Sequence, residues 1–299
     1  MYYITEKDVQ DNLDMKTAIE AVKEAFLEYS KGNAGAEARV RTYSENAVLN
    51  VMPAFMNKYR ISGLKAYIAG RGGARFQVLI FSSDTYELIA SIEANRLGQL
   101  RTGAVTALAT SVIRGKCERF ALIGSGFQAE TQLEGILTMF DPEVKVYSRT
   151  PENCRKFAEK MTAKFGKKIK CADSLRDALE EVDVISCITN SNEQVISDLG
   201  FLKEYHLNLA GANLPNRREV SGKVLISSDL VVAEHFEQAL RESSEIIDFI
   251  GNGGKVVEFK DVVGNPTLFH GRKTVFKSMG IGLEDIAAGY YVLKNMGIV

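Results

Sequence analysis

The stretch from Arg119 to Thr150 constrains the fold of this chain more than any other. Phe120-Ala-Leu-Ile-Gly124 is an apolar run of β type, and it leads directly into Gly124-Ser-Gly126-Phe-Gln-Ala129. In a G-x-G-x-x-A turn the first glycine makes the bend and the second lets the backbone approach a pyrophosphate. The third small residue lets helix and strand pack closely. A helix over about 127–140 and a strand over 144–147 complete a strand–turn–helix–strand unit. Such a helix aims unpaired N–H groups and the positive end of its dipole at phosphates. Gly124, Ser125, Gly126, Phe127, Gln128 and Ala129 are therefore the expected contacts of a dinucleotide. The bare alternative is a tight turn in an α/β unit that holds no ligand.

The end of the second strand discriminates between dinucleotides. An NAD site places Asp or Glu about twenty residues after the glycines, on the ribose hydroxyls. Here the tip reads Val146-Tyr147-Ser148-Arg149-Thr150, with no carboxylate. Arg149 can fork onto a 2′-phosphate, flanked by the hydroxyls of Ser148 and Thr150. NADP(H) is the preferred cofactor on this reading, with NAD(H) as the alternative. A plainer role for Arg149 is a solvated charge beside a helix that Pro151 starts.

At 299 residues the chain is long enough for one or two domains with a large core, and its 45% apolar and 25% charged residues are ordinary for a globular protein. A net charge of −1 gives no reason to expect nucleic acid or an anionic membrane as partner. Cys117, Cys154, Cys171 and Cys187 form no C-x-x-C pair and follow no secretory start, so they read as reduced thiols of a cytoplasmic protein, with neither a disulfide frame nor a zinc site. No apolar run approaches the roughly twenty residues that span a bilayer.

Before the glycine turn, the pattern predicts a short strand at 2–4 and an amphipathic helix over 15–30, with Ile19, Val22, Phe26 and Tyr29 on one face. Strands at 38–43 and 47–52 flank Ser44-Glu45-Asn46 as a hairpin, and Arg39 and Arg41 share a face. Two such arginines are either a solvated edge or the lining of a carboxylate pocket. A strand at 63–68 puts Lys65 among apolar neighbours, where it either snorkels or sits in a pocket with a lowered pKa. Paired strands follow at 75–81 and 88–93, then a helix from Thr102, with Arg101 at its start beside a helix N-terminus. After the glycine unit come a helix at 151–165, strands at 169–171, 182–188, 206–210 and 225–233, and helices at 174–179 and 237–250. The segment from Val275 reads as a loop before a last helix from about Leu283. Thr189, Asn190 and Asn213 lie after strands, on the sheet edge where open α/β folds bind ligands. His206, His235 and His270 stand in no metal-ligand spacing.

Six ordered strings resemble the ornithine cyclodeaminase/μ-crystallin family over nearly the whole chain: Met52-Pro53-Ala54, Gly63-Leu-Lys65, Arg101-Thr-Gly-Ala-Val, the glycine turn, Gly211-Ala-x-x-Pro215-x-x-Arg218-Glu219, and Phe276-Lys-Ser-x-Gly with Glu284-Asp285. The resemblance implies an α/β protein in which a Rossmann-type doubly wound parallel sheet, residues 116–277, is joined to an α+β substrate and dimerisation domain, residues 1–115 with 278–299, completed by the C-terminal helix. It implies a homodimer and hydride transfer between nicotinamide and the α-carbon of an amino or imino acid. It also implies that Arg101 clamps the substrate carboxylate, that Lys65 works at the reacting centre, and that a further arginine falls on Arg39, or on Arg41 if the hairpin is gapped. Thr102, Thr189 and Asn190 join the expected cofactor contacts. Cyclodeaminases of the family use an aspartate as a base toward water where this chain has Asn213, and Asn50 replaces an acid used for ornithine. NADP(H)-dependent reduction of a small imino acid, or its reverse, is the resulting expectation. Ornithine cyclodeamination is the alternative, and a non-catalytic NADPH-dependent binder of small ligands the second.

Overall fold

Residues 1–299 are described by a computed structural model, and they divide into two compact units, Met1–Val105 with Gly280–Val299 and Thr106–Met279. Unit 1 begins with β1 (Tyr2–Ile4), α1 (Glu6–Asn12), α2 (Met15–Ser30), β2 (Ala34–Ala36), β3 (Val40–Tyr43), β4 (Ala47–Met56), β5 (Ile61–Gly70), β6 (Gly73–Ser82) and β7 (Leu88–Glu93). The helix α3 (Asn95–Ala109) leads into unit 2, which carries β8 (Arg119–Ile123), α4 (Ala129–Met139), β9 (Glu143–Tyr147), α5 (Pro151–Phe165), β10 (Ile169–Cys171), α6 (Leu175–Leu179), β11 (Val184–Cys187) and β12 (Tyr205–Leu209). It continues with α7 (Gly222–Ile226), β13 (Leu230–Ala233), α8 (Phe236–Glu242), α9 (Ser244–Gly251), β14 (Val256–Glu258), α10 (Phe259–Gly264) and β15 (Lys273–Lys277); α11 (Gly282–Asn295) belongs to unit 1.

Period-two alternation builds unit 1. Its seven-stranded sheet runs β1-β7-β6-β5-β4-β2, with β3 also on β4, and is antiparallel except where β1 meets β7. The cross-strand row Met52, Lys65, Val78, Ile92 faces inward, and all four side chains are buried. Two helices, α2 and α11, pack on each other, and α11 lies on β4, β5 and β6. A Cβ at Gly282 would stand 2.1 Å from the Met52 carbonyl oxygen, so only glycine lets α11 start this close to β4.

Unit 2 is an all-parallel eight-stranded sheet in the order β10-β9-β8-β11-β12-β15-β13-β14. Strands β8, β11 and β13 are largely apolar and buried on both faces, as a sheet covered on both sides requires, whereas β12 and β15 bury His206, Asn208, Thr274 and Lys277 among their apolar residues. From β8 the chain steps to β9 and β10 on one side and to β11 and β12 on the other. That places the topological switch point, where open sheets bind ligands, between β8 and β11. Inside this sheet His206 is held neutral: Nε2 donates to Asn208 Oδ1 at 3.1 Å, and Nδ1 meets Thr274 Oγ1 at 2.9 Å. Burial pushes its pKa down to about 3.

Five expectations need correction. The apolar run 225–233 is not one strand, because Ser227-Ser228-Asp229 separates the end of α7 from β13. The helix expected over 237–250 breaks at Ser243, whose hydroxyl caps α9 by accepting from Ile246 N–H. The helix expected from Thr102 starts at Asn95, since Glu6 accepts the first-turn N–H groups of Asn95 and Arg96. The segment expected as a loop from Val275 begins in a strand instead: Lys273–Lys277 form β15, inserted between β12 and β13. Finally, Cys154 and Cys171 form a disulfide with Cα atoms 5.7 Å apart, because the start of α5 packs beside the end of β10, while Cys117 and Cys187 stay free and buried. No helix is long and apolar enough to cross a membrane.

Candidate active site

Lys65 occupies a core position of β5 and is buried, so its ammonium must be met inside the fold. Asp285 meets it: Lys65 Nζ donates to Asp285 Oδ1 at 2.9 Å, and Arg101 Nε donates to the same oxygen at 3.1 Å. Arg101 Nη1 donates to Glu284 Oε2 at 2.9 Å. Both carboxylates lie in the first turn of α11, where a helix N-terminus favours negative charge. Arg39 Nη2 donates to the Gly280 carbonyl at 3.2 Å, and its guanidinium lies 5.9 Å from the Tyr67 ring centre. Gly280, with φ +72°, leaves room for Arg101, since a Cβ there would stand 2.4 Å from Nη1.

Burial lowers the Lys65 pKa to about 8, against the opposing pull of Asp285, and Arg101 and Arg39 add to the lowering. A lysine in this state exchanges its proton close to neutral pH, which is the condition for general acid–base work. With Lys65 charged, three cations (Arg39, Lys65, Arg101) stand against two carboxylates (Glu284, Asp285). Two guanidiniums and an ammonium gathered at one buried point suit a carboxylate ligand. Arg39 is the hairpin arginine whose charge reaches Lys65, whereas Arg41 lies half-exposed on β3 opposite Asn50. Thr102 turns its hydroxyl to Gly98 O within α3 at 2.8 Å.

In unit 2 the glycine turn follows β8 as its residues predict. Gly124 has φ +118°, and a Cβ there would stand 2.5 Å from Ile188 O, so the bend tolerates only glycine. A Cβ at Gly126 would meet nothing within 4 Å, so the backbone there is open to a large anion. No side chain caps α4; the Ala129 N–H turns back to the Gly126 carbonyl at 3.0 Å, and the helix N-terminus beyond it favours an anion. Ser125 Oγ and Ser148 Oγ hydrogen-bond at 3.0 Å, which brings the tip of β9 to the turn. Arg149 and Thr150 next to it are exposed, as are Gly126 and Phe127, and Gln128 is half-buried above the buried Ala129. These residues suit a dinucleotide. On the β11 and β12 side, Thr189 and Asn213 are half-buried and Asn190 is exposed.

Sequence reasoning gave no role to Glu284, Asp285 and Glu219, although each stands in a quoted motif. The signal was their residue type: two adjacent acids opening an otherwise apolar helix, and one acid closing a Gly-Ala loop. Glu219 is fully buried and ties two loops of unit 2 together by accepting backbone N–H groups.

A model of the ornithine cyclodeaminase/mu-crystallin family matches residues 2–297. Ketimine reductase mu-crystallin of Mus musculus is 27% identical over 98% of this chain and 96% of its own. The structure of Thermococcus litoralis Delta(1)-pyrroline-2-carboxylate reductase in complex with NADH and L-proline superposes with a TM-score of 0.90 at 27% identity, covering 99% of this chain and 97% of that one. An archaeal alanine dehydrogenase dimer with bound NAD superposes with a TM-score of 0.87 at 26% identity, covering 98% and 95%.

Proposed function

The chain belongs to the ornithine cyclodeaminase/mu-crystallin family, and from that premise we propose that it reduces the C=N bond of a small imino acid, or runs the reverse oxidation, with NADP(H) as preferred cofactor. It is a nicotinamide-dependent oxidoreductase acting on carbon–nitrogen bonds of small amino or imino acids. The observation that carries the mechanism is the buried Lys65, held by Asp285 beside Arg101, where burial lowers its pKa. Arg101 and Arg39 hold the substrate carboxylate, which orients the α-carbon. Lys65 gives its proton to the imine nitrogen as the C=N bond becomes a C–N single bond, and recovers one from solvent afterwards. The nicotinamide, when bound, supplies the hydride that reaches the α-carbon. A bound carboxylate also pulls the Lys65 pKa upward, which keeps the acid form present at neutral pH.

Asn213 stands where cyclodeaminases of the family carry a base, and an amide cannot take a proton from water. Reduction is therefore favoured over deaminative cyclisation of ornithine. A purely binding role has no use for a lysine tuned in this way. The preference for NADP(H) rests on Arg149, exposed beside the glycine turn with no carboxylate at the tip of β9.

Assembly is proposed as a homodimer through the outward face of the unit 1 sheet. There Leu49 and Ile68 are cross-strand neighbours, 42% and 49% exposed, which gives that face an apolar pair for a second copy to cover. The similar archaeal alanine dehydrogenase is a dimer. Light scattering on a Leu49→Asp, Ile68→Lys double variant checks it, and an unchanged mass overturns that face. Cytoplasmic residence has the free Cys117 and Cys187 on its side and the Cys154–Cys171 bridge against it.

Oxidation of NADPH and of NADH is to be followed with cyclic imines and with 2-oxo acids plus ammonia or amines, while ornithine and NAD⁺ run in parallel. Turnover of an imine with NADPH supports the reading. Proline and ammonia from ornithine would mean that Asn213 is no barrier.

A further inference from the structure

At the carboxyl edge of the unit 2 sheet, one carboxylate binds two loops. Glu219 Oε1 accepts from the Thr189 N–H at 3.0 Å, and Oε2 accepts from the Gly211 and Ala212 N–H groups at 2.8 and 3.1 Å. The first loop follows β11 and the second follows β12. They touch, since a Cβ on Gly211 would stand 2.1 Å from Thr189 O. The backbone of Glu219 is occupied as well: its N–H donates to Glu245 Oε1 at 2.8 Å, and its carbonyl accepts from Val195 and Ile196. Behind the carboxylate lies Lys277 of β15, with Nζ 3.7 Å from both Glu219 Oε2 and Glu245 Oε2. All three side chains are buried, and Lys277 Nζ has no hydrogen-bond partner.

This is a costly construction for a loop closure. A buried ion pair or triad is often replaced by apolar side chains with no loss of stability, or with a gain. What apolar residues cannot do is gather three N–H groups from two loops onto one point. Those loops carry Thr189, Asn190 and Asn213, the polar side chains at the half of the sheet that takes the second mononucleotide of a dinucleotide. We propose that Glu219 is a positioning residue: it sets the spacing of the Thr189 and Gly211 loops, which seats the nicotinamide half of the cofactor, with Lys277 as its counter-charge. This rests on the dinucleotide reading of unit 2. The adenosine half, at Ser125, Ser148 and Arg149 on the other side of the switch point, does not depend on Glu219.

The test measures binding apart from turnover. Dissociation constants for NADPH and NADH are taken by nicotinamide fluorescence, and for ADP-ribose and 2′-phospho-ADP-ribose by calorimetry, on the wild type and on Glu219→Gln. Glutamine has one acceptor oxygen and cannot hold both loops. The expected result is whole-cofactor binding weakened about tenfold or more, with the ADP-ribose constants changed less than about twofold. Glu219→Asp keeps the charge opposite Lys277 but lacks the reach, so it gives the same split even if Glu219→Gln fails to fold. Equal weakening of cofactor and fragment, or no weakening of either, overturns the proposal. A wild type that binds neither NADPH nor NADH would instead overturn the dinucleotide reading itself.

Discussion

Each unit buries a cluster of opposite charges around a lysine, and the two clusters use acidic and basic side chains in opposite proportions. In unit 1, Arg39, Lys65 and Arg101 face Glu284 and Asp285; in unit 2, Glu219 and Glu245 face Lys277 alone. The carboxylate surplus of unit 2 is met by backbone: Glu219 accepts three N–H groups and Glu245 accepts a fourth, from Glu219 itself. Unit 1 instead gathers three cationic side chains at one point, the groups a substrate carboxylate would meet. A cluster whose acceptors gather backbone N–H groups holds shape, whereas one rich in side-chain donors suits an anionic ligand, and this difference separates the lysine of a working site from the lysine of a scaffold.

Exchanging each lysine for methionine tests that separation most severely. Lys65→Met is expected to lower kcat for imine reduction by about 10²–10⁴, the range for losing a general acid. Its melting temperature should hold, because Asp285 keeps Arg101 Nε and the desolvation of an ammonium is relieved. Lys277→Met should do the reverse, costing about 3–5 kcal/mol of stability by leaving two buried carboxylates without their cation. Single-turnover kinetics and denaturant unfolding on both variants decide the matter. A Lys65→Met protein that turned over normally would remove the distinction.

Asp285→Asn probes the same cluster from the carboxylate side. Lys65 and Arg101 share Asp285 Oδ1, so the variant frees both cations, and kcat should fall about 10²-fold through misplacement. The pH profile adds a sign. Reduction needs the protonated lysine, so the wild-type rate falls as pH rises through about 8. Asp285 holds that pKa up against burial, so the alkaline limb of Asp285→Asn must move to lower pH. A limb that stays in place, or moves up, would detach Lys65 from the rate.

How much of this the amino-acid order reveals depends on how local each feature is. The turn from Gly124 to Ala129 is legible because the flanking strand and helix, the bend and the open Gly126 all lie within a few residues. The Lys65–Asp285 contact is not, since its partners are 220 residues apart in the chain. Periodicity placed Lys65 correctly among apolar neighbours, yet it could not say that α11 returns to cover it. The start of the segment from Val275 misled for a similar reason. Its strand character depends on entering the sheet between β12 and β13, against the order of the chain. Cys154 and Cys171 look unrelated in sequence until α5 folds beside β10.

His206 is a control without an ion pair, buried in the unit 2 sheet on Thr274 and Asn208, where burial lowers its pKa and the Arg114 charge adds to the lowering. Its folded pKa, near 3, lies below the unfolded value of about 6.5. The unfolded chain therefore binds the extra proton between those values. The stability is fully present above about pH 6.5 and is lost as pH falls, by about 1.4 kcal/mol per unit. Urea unfolding of the wild type from pH 7.5 to 5.5 should show this slope, and His206→Gln should flatten it. A slope that survives the substitution assigns the acid sensitivity to the charge clusters instead.

The smallest expected effect belongs to a cation outside either cluster. Arg149 is exposed, so solvent screens whatever it binds, and an interaction there is worth less than one in the buried site of Lys65. Arg149→Ala should weaken NADPH binding about three- to tenfold and leave NADH unchanged, because only the 2′-phosphate distinguishes the two. The weakening should shrink as salt is added, whereas the effects of Lys65→Met and Lys277→Met should not, since their charges are shielded from mobile ions by burial. Titrations by nicotinamide fluorescence at low and high ionic strength measure both points. Equal losses for NADPH and NADH would make Arg149 a helix-flanking charge before Pro151, and the preference for the phosphorylated cofactor would have to come from Ser148 and Thr150.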